Sequence, residues 1–352
     1  MDKSISTITM ALIFEHTGEK YIEALEKWRQ LNTEQACQKT VSILRKPVIT
    51  KKEIIFKYIE WVLEKKPEIG LKLFLDRGTS YGNTIVANSD SHSQARSGHS
   101  GDGAGMGGAV DDLTHEEIIN YLSKIEKLQE PKNKELMSER KDLVDKVFPY
   151  RERYLEYVLR RGEPTEKYET MLAELYIEKL FQIQDKNITD EIYAPELIEP
   201  KRKKLQEFLE LKQNYNPSML LEKVKNSWMM EEEIILLVKE KRFEPAIEIF
   251  VKSEHYKEAE QFCNERPQLG LMNTLLKIYI DKYKYNVKQR RKYLEQQDQE
   301  KSKECQQLAI QFKKQGLELL KKYSQSSMLD PHKILDLIPD DWEIKSDDYN
   351  LL

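Results

Sequence analysis

Gly103, Gly105 and Gly108 stand in the GxGxxG spacing that lets a backbone approach a pyrophosphate. That chemistry needs a strand before the glycines, so that the following helix aims its N-terminus at the phosphates. The preceding residues, Ser91 to Ser100, read SHSQARSGHS and carry no strand pattern. His92, His99 and His115, with Asp90 and Asp102, are metal-ligand types. A zinc site, however, holds three or four ligands on rigid elements with supporting hydrogen bonds, and most of these residues share one Gly-rich stretch. Cys263 has His255 upstream, but on one helix eight residues are about two turns, too far for a base to reach its nucleophile. The acidic runs Glu231 to Glu233 and Asp340 to Asp341 read as solvated faces. The basic cluster Lys201 to Lys204 and the pair Arg290, Arg291 lack the interleaved aromatics of single-strand binding. No catalytic, cofactor or metal constellation emerges; neither an enzyme nor a nucleic-acid binder is expected.

The elements that would have to position such residues are helices. Ile54, Tyr58, Trp61, Val62 and Leu63 follow the spacing of one buried helical face, as do Tyr154, Tyr157 and Val158, and then Leu172, Leu175, Tyr176 and Leu180. Thr50 with Glu53 and Thr114 with Glu117 have capping-box spacing. Asn216-Pro217 and Asp330-Pro331 put a cap residue before a proline at the first helical position. No alternating run bounded by hairpin turns is present. An all-α fold is expected.

Composition narrows the class further. The 352 residues are 39% hydrophobic and 34% charged, leaner in core and richer in charge than an ordinary globular domain. Such a chain suits an elongated stack with much surface per residue. The net charge of −4 sets up no broad basic field. No stretch approaches the ~18 apolar residues of a membrane span. The uncharged run from Ser4 to Phe14 reads as an amphipathic helix. Cys37, Cys263 and Cys305 form no CxxC pair and no disulfide framework, which points to the cytosol.

Eight of the 13 glycines fall between Gly78 and Gly108. The expected organisation is therefore a helical stack over residues 1–80 and a disordered Gly/Ser-rich insertion over 81–112, where too little apolar surface offsets the entropy of ordering. The stack resumes over 113–281, followed by a charged helix or insertion over 282–323 and a helical segment over 324–352. Within it, Tyr21 to Ala24, Phe243 to Ala246 and Tyr256 to Ala259 share an aromatic followed three residues later by alanine. Both residues then lie on one helix face, where the small one admits a neighbouring helix. Short units of this kind suggest stacked helical hairpins.

Several segments, taken together, resemble a known family. Ala11 to Leu31 (ALIFEHTGEKYIEALEKWRQL) is similar to the helical hairpin of vacuolar-sorting solenoid proteins. Ile54 to Leu75 (IIFKYIEWVLEKKPEIGLKLFL) and Pro149 to Leu180 resemble successive helix pairs of the HOPS and CORVET subunits related to Vam-six and to transforming-growth-factor-β-receptor-associated protein. Leu205 to Asn264 and Leu329 to Ile344 resemble later segments of that family, and the order of the segments matches. The family's N-terminal β-propeller and its C-terminal CxxC…HxxC tail have no counterpart in these residues, so contacts made through those parts are not carried over.

The resemblance implies a right-handed α-solenoid like the clathrin heavy-chain repeat. It implies a scaffold in a complex that tethers endosomal, vacuolar or lysosomal membranes before fusion. The partners would be other tethering subunits, Rab GTPases and SNARE proteins, with membrane association through those partners and no small-molecule substrate. The alternative is a helical-repeat adaptor with unrelated partners. Under the first reading the contact falls between Leu205 and Leu352, and Trp228, Met229, Met230 and Trp342 are the expected exposed anchors.

Overall fold

The computed structural model describes residues 3–17, 20–77, 113–139, 148–162, 165–187, 194–323 and 326–342. Among them are sixteen α-helices and no strand. The fold is all-α. Two compact units divide the chain, Met1–Tyr168 and Glu169–Leu352. The insertion expected over 81–112, with Asp90, His92, His99, Asp102 and the GxGxxG glycines, lies outside the described residues.

The first unit holds α1 (Lys3–His16), α2 (Tyr21–Leu31), α3 (Glu34–Leu44), α4 (Lys52–Lys65), α5 (Pro67–Arg77), α6 (His115–Glu139) and α7 (Tyr150–Arg160). From α1 to α5 each helix packs on its predecessor, and α2 with α4 and α3 with α5 also touch. The α4–α5 hairpin turns at Pro67, and its helices close until a Cβ on Gly70 would stand 2.7 Å from Leu63 Cδ2. Trp61, Val62 and Leu63 are buried as expected. Ile54 is half-exposed, and Ile55 and Ile59 complete the core face instead.

Tyrosines tie later helices to carbonyl oxygens of earlier ones. Tyr121 donates to Phe56 O at 2.8 Å and stacks on the Phe56 ring at 4.3 Å. Tyr150 donates to Leu63 O at 2.7 Å, and Tyr157 to Leu75 O. Burial pushes the Tyr121 and Tyr150 hydroxyls above the ordinary phenol range, so they remain protonated donors.

α8 (Glu166–Asn187) begins at the end of the first unit and runs into the second. The second unit continues with α9 (Ala194–Leu211), α10 (Pro217–Val224), α11 (Met230–Lys239), α12 (Phe243–Lys252), α13 (Tyr256–Asn264), α14 (Leu271–Glu295), α15 (Gln299–Tyr323) and α16 (Pro331–Leu335). From α10 to α15 each helix again packs on the one before it. The aromatic-x-x-alanine signature falls at the starts of α2, α12 and α13. Ala24, Ala246 and Ala259 are each 0% exposed, while Tyr21, Phe243 and Tyr256 are half-buried beside them.

The turns repeat as well. Lys241, Glu254 and Gln297 hold φ of 60°, 61° and 60°. After each, the next amide reaches back into the finished helix: Arg242 N to Leu237 O, His255 N to Phe250 O, and Asp298 N to Tyr293 O, at 2.8, 2.9 and 3.0 Å. This is the Schellman closure, usually built on glycine.

Two local expectations need correction. α4 starts at Lys52 with Lys51 as its N-cap, so Thr50 lies one residue outside and caps nothing. Residues 282–323 do not form one solvated helix or an insertion. They make the end of α14 and all of α15, which pack against each other across a turn at Gln296 to Asp298. The other caps form as expected. Thr114 and Glu117 bond reciprocally at 3.2 and 2.8 Å, Asn216 accepts from Met219 N at 3.1 Å, and Asp330 accepts from His332 N at 3.1 Å.

The left-handed turns give a direct test. A side chain at positive φ carries a steric cost of ~1–2 kcal/mol, which glycine avoids at some entropic cost. Glu254→Gly is expected to raise unfolding stability in urea by up to ~1 kcal/mol. A loss of stability would show that the Glu254 side chain contributes more than its backbone conformation costs.

Candidate functional site

The four expected anchors fall in two places. Trp228, Met229 and Met230 lie between α10 and α11. The chain leaves α10 through Asn226, at φ 57°, and Ser227 Oγ then accepts from Met229 N at 3.1 Å. This turn drives Met229 inward, where it is 0% exposed. Met229 is a core residue, not an exposed anchor. Trp228 is half-buried, edge-on to Phe181 at 6.4 Å and 5.6 Å from the Arg202 guanidinium. Met230, the first residue of α11, is half-exposed.

Arg202 and Glu232 carry the polar part of this region. Arg202 Nε donates to Glu232 Oε1 at 2.7 Å and Nη2 to Oε2 at 2.9 Å. Gln206 donates to Glu232 Oε1 at 2.7 Å and to Glu231 Oε2 at 2.7 Å. The Glu232 side chain is 0% exposed, so the charge is carried inside the protein on a two-pronged ion pair. Burial opposes the Arg202 charge, but the hydrogen bonds and charge of Glu232 outweigh it and hold the guanidinium above its ordinary pKa. The expectation of a solvated face at Glu231 to Glu233 therefore fails at Glu232, which draws Arg202 of the basic cluster in with it. Those two turn inward and fasten α9 to α11.

Trp342 is the fourth anchor, and it too is buried, at 4% exposure. Its ring meets Tyr283 of α14 edge-on at 5.5 Å. It also covers Gly316 of α15 so closely that a Cβ there would lie 2.5 Å from Cη2. Around it, Tyr283 donates to the Asp341 carboxylate, and Lys313 donates to Asp341 O at 2.8 Å. Asp330 N donates to Asn273 Oδ1 at 3.0 Å. Burial, then the Asp341 acceptor, pushes the Tyr283 hydroxyl up to about 12. Residues 326–342 thus form a strap across α14 and α15, locked by the tryptophan. Trp342 was legible as important from its size, but its partners lie 26 and 59 residues back in the chain, as the numbers of Gly316 and Tyr283 show.

An open cleft of about 760 Å³ lies beside the strap. Lys284, Lys288, Arg291, Lys292 and Glu295 of α14 line it together with Asp340 and Asp341. Cys263 is buried, bonds to Leu271 O at 3.6 Å, and has its thiol pushed up to about 12 by burial. Such a thiol is not a nucleophile at neutral pH. His115 Nδ1 lies 2.7 Å from Tyr154 Oη at the start of α6, a packing role. Among the described residues no three His, Cys, Asp or Glu side chains are grouped to hold a metal ion.

These features define an all-helical protein whose polar side chains fasten helices to one another. No protein-family model matches the chain, and neither the curated proteins nor the solved structures yield a match to it.

Removing the lock is expected to loosen the second unit. Trp342→Ala should cost ~3–5 kcal/mol in thermal or urea unfolding through lost burial and a cavity. A loss below about 1 kcal/mol, within the range of ordinary surface changes, would show that the strap does not secure the hairpin.

Proposed function

We propose that this chain is a scaffold subunit of an endosomal or vacuolar membrane-tethering complex of the HOPS or CORVET type. The observation that carries the reading is the fate of the segments that resemble that family. Ile54 to Leu75 folds as the α4–α5 hairpin with its proline at the turn, and Leu205 to Asn264 runs through α9 to α13, in which α9 and α10 both pack on α11 and α11, α12 and α13 pack in succession. Helices that pack on their chain neighbours are the local arrangement of an α-solenoid, and the right-handed superhelix remains part of the proposal.

In this role the protein binds other tethering subunits, and through them Rab GTPases and SNARE proteins, at the cytoplasmic face of endosomes, vacuoles or lysosomes. It is read as non-catalytic, without a cofactor. No helix among the described residues is long and apolar enough to cross a membrane, which agrees with attachment through partners. Of the four expected anchors only the half-exposed Trp228 and Met230 are available to a partner, and the contact is placed there.

The test is affinity purification of the full chain from cells, with identification of what accompanies it. Tethering-complex subunits are expected, and Met230→Glu should reduce their recovery while leaving the circular dichroism melt unchanged. Recovery of an unrelated set of partners would select the general helical-repeat adaptor and end the tethering assignment.

A further inference from the structure

Within the second unit a cleft of about 570 Å³ opens where α9, α11 and α13 end. The last carbonyls of a helix carry partial negative charge and favour cations beside them. Here side chains supply those cations. Lys239 donates to Glu210 O at 3.0 Å and to Lys212 O at 3.2 Å, at the close of α9. Arg266 donates to Phe262 O at 3.0 Å, in the last turn of α13. Lys241 is exposed on its left-handed turn and, like Lys239, meets no carboxylate among the described residues. These three are the only charged residues that line the cleft, and all are basic. The acids next to them in sequence are engaged: Glu240 accepts from Ser218 and Arg242, and Glu265 from Gln261 and Arg266. Glu265 takes part of the Arg266 charge, while the two lysines keep theirs.

The rest of the lining is largely apolar. Val238 and Phe243 are half-buried, and Leu269 is 45% exposed. Leu211 lies between the two carbonyl residues that hold Lys239. At 78% it is the most exposed large apolar side chain among the described residues. Apolar ground under charge of one sign narrows the partner. A neutral or cationic surface would desolvate the lysines with nothing to pair them. Nucleic acid engages a longer series of cations than three, and the flat surface of a bilayer does not enter a recess. A short extended peptide does. One bulky apolar residue would leave water against Val238, Phe243 and Leu269, and flanking aspartates or glutamates would pair with the lysines.

We propose that this cleft is a docking site for an acidic peptide segment of a partner protein, with a bulky apolar residue as its anchor. The site shares no residue with the contact placed at Trp228 and Met230. It does not rest on the tethering assignment, because it names the chemistry of the partner and not its identity.

Selection of random peptides displayed on phage against the full chain tests it. Enriched sequences are expected to combine acidic residues with a bulky apolar one, and the Kd of one such synthetic peptide is then measured by fluorescence anisotropy. Lys241→Glu should raise that Kd by roughly tenfold at low salt, a loss that shrinks as salt rises. Leu269→Ser should also raise it by roughly tenfold, at low and high salt alike. Both side chains are exposed, and a glutamate already holds the same backbone conformation at Glu254, so the circular dichroism melt should be unchanged. Lys257→Glu makes the same charge change at an exposed position of α13 outside the cleft, and should leave the Kd within about twofold. Failure to enrich acidic sequences, binding indifferent to both cleft variants, or an equal loss with Lys257→Glu would overturn the proposal. So would a Lys241-dependent affinity for anionic phospholipid vesicles or single-stranded RNA that exceeds the affinity for the peptide. Lys241-dependent self-association in sedimentation velocity would overturn it as well, by assigning the cleft to a second copy of the chain.

Discussion

A helix of nine to eleven residues does not persist alone in water, because nucleation costs more than so few backbone hydrogen bonds return. α11, α12 and α13 are 10, 10 and 9 residues long, and each must bury its apolar face on its chain neighbours or unfold. Everything else follows from that requirement. Ala24, Ala246 and Ala259 are small so that a neighbouring helix can approach, and the aromatic three residues earlier fills the space beside each. The left-handed residues Lys241 and Glu254 turn the chain at once into the next helix, 13 residues apart by their numbers (254 less 241). A longer connection would separate the faces that need each other.

Apolar burial alone does not set the register between helices; directional bonds do. Tyr121 and Tyr150 reach carbonyl oxygens 65 and 87 residues earlier. Phe56 O lies inside α4 and gains a partner beside the helical one, whereas Leu63 O, whose helical donor position is Pro67 without an N–H, is satisfied by Tyr150. Arg202 and Glu232 do the same between α9 and α11 with a buried charge pair. Such a pair adds little net stability over an apolar one, but breaking it leaves a charge stranded, which makes misregistered packing costly. Trp342 fastens residues 326–342 to α15 by a third device, a large ring laid on the bare backbone of Gly316.

Helices and their small-residue contacts were legible because they depend on neighbours in sequence. The buried faces of α4, α7 and α8, the caps at Thr114, Asn216 and Asp330, and the alanine signature are all of this kind. Thr50 misled because capping-box spacing is satisfied at several positions, and only the start of α4 at Lys52 decides among them. The turn between α14 and α15 carries neither glycine nor proline; Gln297 takes the left-handed conformation instead. The weakest expectation concerned exposure. Met229 and Trp342 stand beside acidic residues, which suggested a surface, but the Ser227 turn and the Gly316 hollow that bury them come from tertiary structure. Arg202 and Glu232 were equally unreadable, since a run of charges does not say which member turns inward.

The central claim is that stability passes from helix to chain neighbour and not through one shared core. Amide hydrogen exchange read by mass spectrometry on an Ala259→Leu chain addresses it directly, because that substitution overfills the contact α13 makes with α12 and α14. The account predicts faster exchange in α12, α13 and α14, with α9 and α10, whose partner is α11, keeping the protection they have in the unaltered chain. Uniform acceleration through every helix of the second unit would contradict it, and would mean that one cooperative core holds them all.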